Sequence, residues 1–161
     1  MLYILSGLPA SGKTTLAKRL AQKCGVVYIR VDTIEDALKA STLNIHPAED
    51  AGYVAGCALA AENLQLGQSV IVDSVNPIKL TREWWHDAAL QADSSYIEIE
   101  VVCSDIDTHK SRISDRGWDW ARVADREYEI WDKDIIQIDT AYVSIDQSIR
   151  ELMRKLSDSG K

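Results

Sequence analysis

The stretch Ser6–Thr15, "SGLPASGKTT", follows directly on the apolar run "LYIL" at Leu2–Leu5. Gly7, Gly12, Lys13 and Thr14 satisfy G-x-x-x-x-G-K-[ST] without a mismatch. Each part has a physical reason. The glycines let successive backbone N–H groups turn inward as an anion nest. A helix starting near Lys13 adds the positive end of its dipole. The Lys13 ammonium reaches the β- and γ-phosphates of ATP, and the Thr14 hydroxyl ligates Mg²⁺. The ATP-binding set expected here is Gly7, Leu8, Pro9, Ala10, Ser11, Gly12, Lys13, Thr14 and Thr15. The motif specifies a nucleoside triphosphate. It leaves open whether the phosphate goes to water, drives a motion, or passes to an acceptor.

Outward from this loop, short apolar or β-branched runs alternate with helical patterns. "LYILS", "VVYIRV", "SVIVDS", "YIEIEVVC" and "IIQID" read as strands. "KTTLAKRLAQKC", "TIEDALKA", "AEDAGYVAGCALAAENLQLG", "TREWWHDAALQA", "DTHKSRISDR" and "SIDQSIRELMRKL" read as helices, with Gly25 and Gly67 at C-cap positions. Such alternation predicts an α/β fold with a parallel sheet covered by helices on both faces. "YIEIEVV" alternates polar and apolar residues, which is unusual for a buried parallel strand. With 161 residues and 46% hydrophobic composition, one domain over 1–161 with its own core is expected.

No apolar run approaches the roughly 20 residues of a membrane span, and "MLYILSG" lacks a basic leader and cleavage site. Cys24, Cys57 and Cys103 are scattered and odd in number, which suits free thiols in a reducing, cytoplasmic compartment. The net charge of −7, from 25 acidic and 18 basic residues, disfavours gripping a long nucleic-acid backbone without excluding it. A small anionic ligand needs only a few local arginines.

In open α/β sheets the ligand sits beyond the carboxyl ends of the strands. That rule selects Asp32, at the end of "YIRVD", as the carboxylate that orients an acceptor hydroxyl and takes its proton; capping of the following helix is the rival role. Asp73, closing "VIVD", is a candidate for Mg²⁺ or for an acceptor hydroxyl. Arg30, Asn76 and Arg82 are candidate acceptor contacts, and Thr81 a candidate N-cap. Arg112 and Arg116, four apart in "SRISDRG", would share a helix face and repel each other until an anion arrives. They head an expected lid over 111–127, "SRISDRGWDWARVADRE". Trp84, Trp85 and Trp131 read as packing residues, and His46, His86 and His109 carry no assigned chemistry.

Three uses of the loop separate on sequence. A GTPase would show N-K-x-D, which "NPIK" at Asn76–Lys79 does not provide. A mechanical ATPase would carry an acidic pair after a hydrophobic strand, whereas Ser74 follows Asp73. A kinase needs an acceptor pocket, a base and cations over the transferred phosphoryl, and candidates for each are present.

"GLPASGKTT", "RVDT", "VIVDSVNP" and the Arg112–Arg116 pair together resemble the small P-loop kinases, the group that includes zeta toxin, chloramphenicol phosphotransferase and the 5′-kinase domain of polynucleotide kinase. The likeness extends to bacterial proteins described simply as ATPases or kinases. The tail "IDTAYVS" resembles the loop that packs on adenine in adenylate-kinase-like proteins, which adds Thr140 and Arg112 to the ATP-binding set. The resemblance implies a three-layer P-loop NTPase fold with a five-stranded parallel sheet in the order 2-3-1-4-5. ATP and Mg²⁺ are the implied cofactors, Asp32 the implied base, and Arg112 and Arg116 the implied lid arginines. Two departures stand out. Glu35 occupies the place of the arginine with which polynucleotide kinases hold the acceptor's phosphate, and the lid is short. Both point to a small-molecule alcohol as acceptor. A nucleoside or polynucleotide 5′-hydroxyl kinase, or a slow ATPase acting as a switch, is the alternative.

Overall fold

The computed structural model describes residues 1–159. The chain runs β1 (Leu2–Ser6), α1 (Lys13–Cys24), β2 (Val27–Arg30), α2 (Val31–Ala40), α3 (Ala51–Gln65), β3 (Val70–Asp73) and α4 (Lys79–Gln91). It continues through β4 (Tyr96–Val102), α5 (Ile106–Ser114), α6 (Ala121–Ala124), β5 (Ile136–Asp139) and α7 (Ile145–Ser159). The strands form one parallel sheet in the order β2-β3-β1-β4-β5, as the sequence resemblance implies. No helix among the described residues is long and apolar enough to cross a membrane.

Apolar residues on the two sheet faces explain the three layers. Leu5, Ile71, Ile99 and Val101 pack against Leu16 and Leu20 of α1 and Leu152 of α7. Leu2, Ile4, Val70 and Val72 pack against Ala60 and Leu64 of α3 and Trp85 of α4. Trp85 is fully buried, in keeping with its reading as a packing residue.

Three local expectations change. The strand before Asp32 stops at Arg30, so Asp32 lies in the first turn of α2 rather than at a strand end. Thr81 does not open α4. It sits in the third helical position, and its hydroxyl donates to Ile78 O at 2.8 Å. The four-residue α6, inside the expected lid, has too few residues to show a period.

The polar half of β4 also finds its explanation. Glu98 and Glu100 are both buried, on the face opposite Ile99 and Val101. There α4 and the chain around 128–133 both approach Glu98. Lys133 Nζ and His86 Nε2, the latter at 2.6 Å, both contact the Glu98 carboxylate. Gln137 Nε2 donates to Glu100 at 2.8 Å. The strap is tied to α4 as well: Glu129 N donates to Pro77 O at 2.7 Å, and Arg82 Nη2 donates to Glu129 O at 2.7 Å. The Arg82 guanidinium lies 3.9 Å from the Trp131 ring centroid.

Burial alone would raise the Glu98 pKa, but the hydrogen bonds and charges of His86 and Lys133 prevail and hold it below the ordinary value of 4.5. A carboxylate of this kind stabilises the fold in full above its unfolded-state value, and the contribution fades as pH falls through the lower folded value. The Glu98→Gln protein is expected to melt below wild type at pH 7, with the gap closing as pH drops below 4.5. Melting curves across pH check this; parallel Tm profiles would remove Glu98 from the acid response.

Candidate nucleotide and acceptor site

The loop between β1 and α1 is shaped by positive φ angles. Gly7 has φ +141°, and a Cβ there would fall 2.2 Å from the Val101 carbonyl oxygen of β4, so only glycine fits. Gly12, the N-cap of α1, has φ +99° and faces the Thr140 side chain, where a Cβ would lie 3.1 Å from Cγ2. Ala10 also adopts φ +61°. This alternation turns backbone amides toward one centre, the geometry of an anion nest.

Lys13 sits at the mouth of that nest. Its side chain is buried yet makes no hydrogen bond or ion pair among the described residues. Burial lowers its pKa, while Asp73 and Asp32 oppose the shift and Arg116 and Arg30 add to it. A buried ammonium without a paired carboxylate is a cation prepared for an anionic ligand.

The cleft beside it has a volume of about 380 Å³. Lys13 and Thr14 line one wall, Arg30, Asp32 and Glu35 the other, and Asp73 the floor. The Asp32 carboxylate pairs with Arg30 Nη2 at 2.5 Å and bonds no helix amide among the described residues, so the capping role is not the one it plays. Asp73 is almost fully buried; its Oδ2 accepts from the Tyr28 hydroxyl at 2.8 Å and lies 3.7 Å from Arg30 Nε. Glu35 is raised above the usual carboxylate range, first by burial and then by Asp32 and Asp36, against the pull of Arg126.

A divalent cation fits this floor. The Thr14 hydroxyl has no partner among the described residues, and Asp73 offers a fixed carboxylate. Both are hard oxygen donors of the type Mg²⁺ prefers, with phosphates and water completing its shell. No group of three His, Cys, Asp or Glu side chains is arranged to hold a metal ion among the described residues.

A second cleft of about 350 Å³ continues past Gly12, lined by Thr15, Arg112, Arg116, Thr140, Val143 and Ile145. Arg116 borders both clefts. The expectation for the arginine pair is corrected here. The helix α5 ends at Ser114, the chain turns through Gly117 at φ +69°, and the two arginines do not share a helix face. Arg112 is also not waiting for an anion: it donates to Thr140 Oγ1 at 2.7 Å and to Thr140 O at 2.9 Å. Arg116 makes no ion pair or hydrogen bond with its side chain among the described residues.

Two expected acceptor contacts lie elsewhere. Asn76 is completely buried, with its amide donating to Leu5 O and Ser6 Oγ, both at 3.1 Å, and its Oδ1 accepting from Ser74 Oγ and Trp85 Nε1. Arg82 is consumed by the strap and by Asn76 O at 3.0 Å. Both pin the loop after β3 from behind: the Asn76 amide is matched at both ends, and Arg82 spends Nε and Nη2 on backbone carbonyls.

The cleft instead includes Trp118 and Arg126. Nothing in the local spacing of the 111–127 stretch distinguishes these two. Tyr28 was more accessible to sequence reasoning. It shares strand parity with Arg30, and the register Arg30↔Asp73 puts all three on one face.

A family model described as an AAA domain matches residues 2–132. The chain belongs to that family. No curated protein matches this AAA domain chain. Among solved structures, the Mycobacterium tuberculosis APS kinase CysC, in complex with AMPPNP and APS, is 17% identical with a TM-score of 0.73, covering 97% of this chain and 96% of its own. A gluconokinase from Sinorhizobium meliloti 1021 is 16% identical with a TM-score of 0.70, covering 97% and 91%. Chaetomium thermophilum Kti12, in complex with ADP-AlF3, is 21% identical with a TM-score of 0.73, covering 98% of each chain. At these identities the likeness carries the fold, and it bears out the expected P-loop sheet order.

Because burial disfavours the Lys13 charge and no carboxylate forms an ion pair with it among the described residues, Lys13→Met is expected to melt at or above the wild-type temperature and to lose the Tm increase expected of wild type with ATP. Thermal melts with and without ATP check both halves; a variant that unfolds outright, or keeps the full ATP shift, contradicts the assignment.

Proposed function

We propose that this AAA domain protein is an ATP-dependent phosphotransferase that moves the γ-phosphoryl group to a hydroxyl of a small molecule. The observation that carries the reading is one cleft in which the unpaired Lys13 and Arg116 face the Asp32 carboxylate. Phosphates belong at the Lys13 end and an acceptor at the Asp32 end.

The acceptor oxygen forms a bond to the γ-phosphorus while the bond to the β,γ-bridging oxygen breaks, and ADP leaves. Asp32 orients the acceptor hydroxyl and takes its proton. Little basicity is demanded of that carboxylate, because the transition state is loose and little proton transfer is needed early. Lys13 and Arg116 hold the charge that collects on the phosphoryl oxygens. Thr14 and Asp73 are the residues that would hold Mg²⁺, which would supply neutralisation of phosphate charge. The ATP base and ribose would lie along the second cleft by Arg112 and Thr140. Arg30 and Glu35 would contact the acceptor.

Two features support a small acceptor. Asp32, Glu35 and Asp36 crowd three carboxyl groups onto one wall, which repels the backbone of a polynucleotide acceptor. The cleft volume also suits a metabolite more than a strand end. We place 111–127 as a lid on a single domain. It packs on the phosphate loop through a separate small cluster in which Ile113 and Val123 meet Ala10, with Leu8 and Trp120 at its edge. Motion there need not disturb the two main cores.

Asp32→Asn is expected to bind ATP normally and to lose about 10²-fold in transfer rate, the usual cost of a missing general base. Radiolabelled ATP with a mixed metabolite extract provides the assay. Label on an organic acceptor supports the reading; label found only as free phosphate identifies an ATPase instead.

A further inference from the structure

Amides can face an anion in the loop only if neighbouring carbonyls face away, and a carbonyl turned into protein needs a donor. Two outward carbonyls of this loop have one. Ser11 O accepts from Thr140 Oγ1 at 2.6 Å. Pro9 O is 2.7 Å from His109 Nε2. A carbonyl oxygen only accepts, so the imidazole must carry its proton on Nε2, and the contact fixes the tautomer.

The surroundings hold the ring in place. His109 is 5% exposed and stands edge-on to Trp120, with centroids 5.1 Å apart. It lies on α5, whose next turn carries Arg112, the residue that clamps Thr140. The residue after Pro9 is Ala10, held at φ +61°, a conformation an L-residue keeps only under constraint.

We propose that His109 is a positioning residue of the phosphate loop. Its Nε2–H draws the Pro9 carbonyl outward, which keeps Ala10 in the left-handed conformation and the following amides turned toward the anion. This rests on the reading of Ser6–Thr15 as the phosphate site. His109 touches no phosphate itself; it acts through the backbone.

The test compares His109→Leu, which removes the donor but fills the space, with His109→Gln, whose amide nitrogen can reach the same carbonyl. Affinities for ATP and for inorganic tripolyphosphate are measured by calorimetry, and KM for ATP and for the acceptor by kinetics. His109→Leu is expected to weaken both ligands about 10-fold to 100-fold, the usual range for orphaning a buried carbonyl. KM for ATP rises while KM for the acceptor holds, and His109→Gln recovers most of the loss. Wild-type affinity in His109→Leu overturns the proposal, as does His109→Gln binding no better than His109→Leu. A purely packing role would favour Leu over Gln, the reverse order. Should His109→Leu not fold, His109→Asn replaces it. Its shorter amide cannot reach, so Gln binding better than Asn supports the role and equal binding overturns it. A wild-type protein that binds neither ligand would instead remove the phosphate-site reading itself.

Discussion

Gly7 lies so close to the Val101 carbonyl that a single methyl group there would come within 2.2 Å of the oxygen. That approach presses the loop after β1 against the end of β4, and the site is built on the result. The loop must rise sharply from the central strand of the sheet, and it does so through positive φ angles at Gly7, Ala10 and Gly12. Its amides then converge at the first turn of α1, where Lys13 is buried. Glycine supplies the freedom; neighbouring elements supply the constraint. Thr140 and His109 occupy the outward carbonyls, so the loop is braced from the side opposite the cleft.

The acceptor wall depends on a different element. β2 gives way to α2 without an intervening loop, and this brings Arg30, Asp32 and Glu35 to the cleft within six residues. Arg30 ties the wall to the floor, pairing with Asp32 and lying near Asp73. Tyr28 completes that tie by donating to Asp73. Burial and the neighbouring carboxylates raise Glu35, so the wall has more acid than its cations neutralise.

The acidic residues of β4 are met from three elements. The strap around 128–133 brings Lys133 to Glu98, α4 brings His86 to it, and Gln137 of β5 donates to Glu100. Charged residues are tolerated in this strand because each is matched. The same strap follows directly from the 111–127 segment and binds the loop after β3 through Pro77 and Arg82. The 111–127 segment is thereby anchored, through the strap, to the loop after β3.

The sequence by itself determined the P-loop, the five strands, the six long helices and the parallel α/β class. Those features rest on local periodicity and on glycine spacing, which are written in consecutive residues. The resemblance supplied the strand order. Several side-chain destinations were decided only by tertiary structure. Asn76 and Arg82 have the chemistry of ligand contacts, yet Asn76 is taken by Leu5, Ser6, Ser74 and Trp85, and Arg82 by backbone carbonyls. Arg112 and Arg116 have helical spacing, yet α5 ends at Ser114, between them, and Thr140 takes one of the pair. His109 has no motif around it, and its partner Pro9 lies 100 residues away. Whether a polar group faces a ligand or a carbonyl depends on which donors and acceptors the fold leaves unmatched, and that balance exists only once distant segments have met.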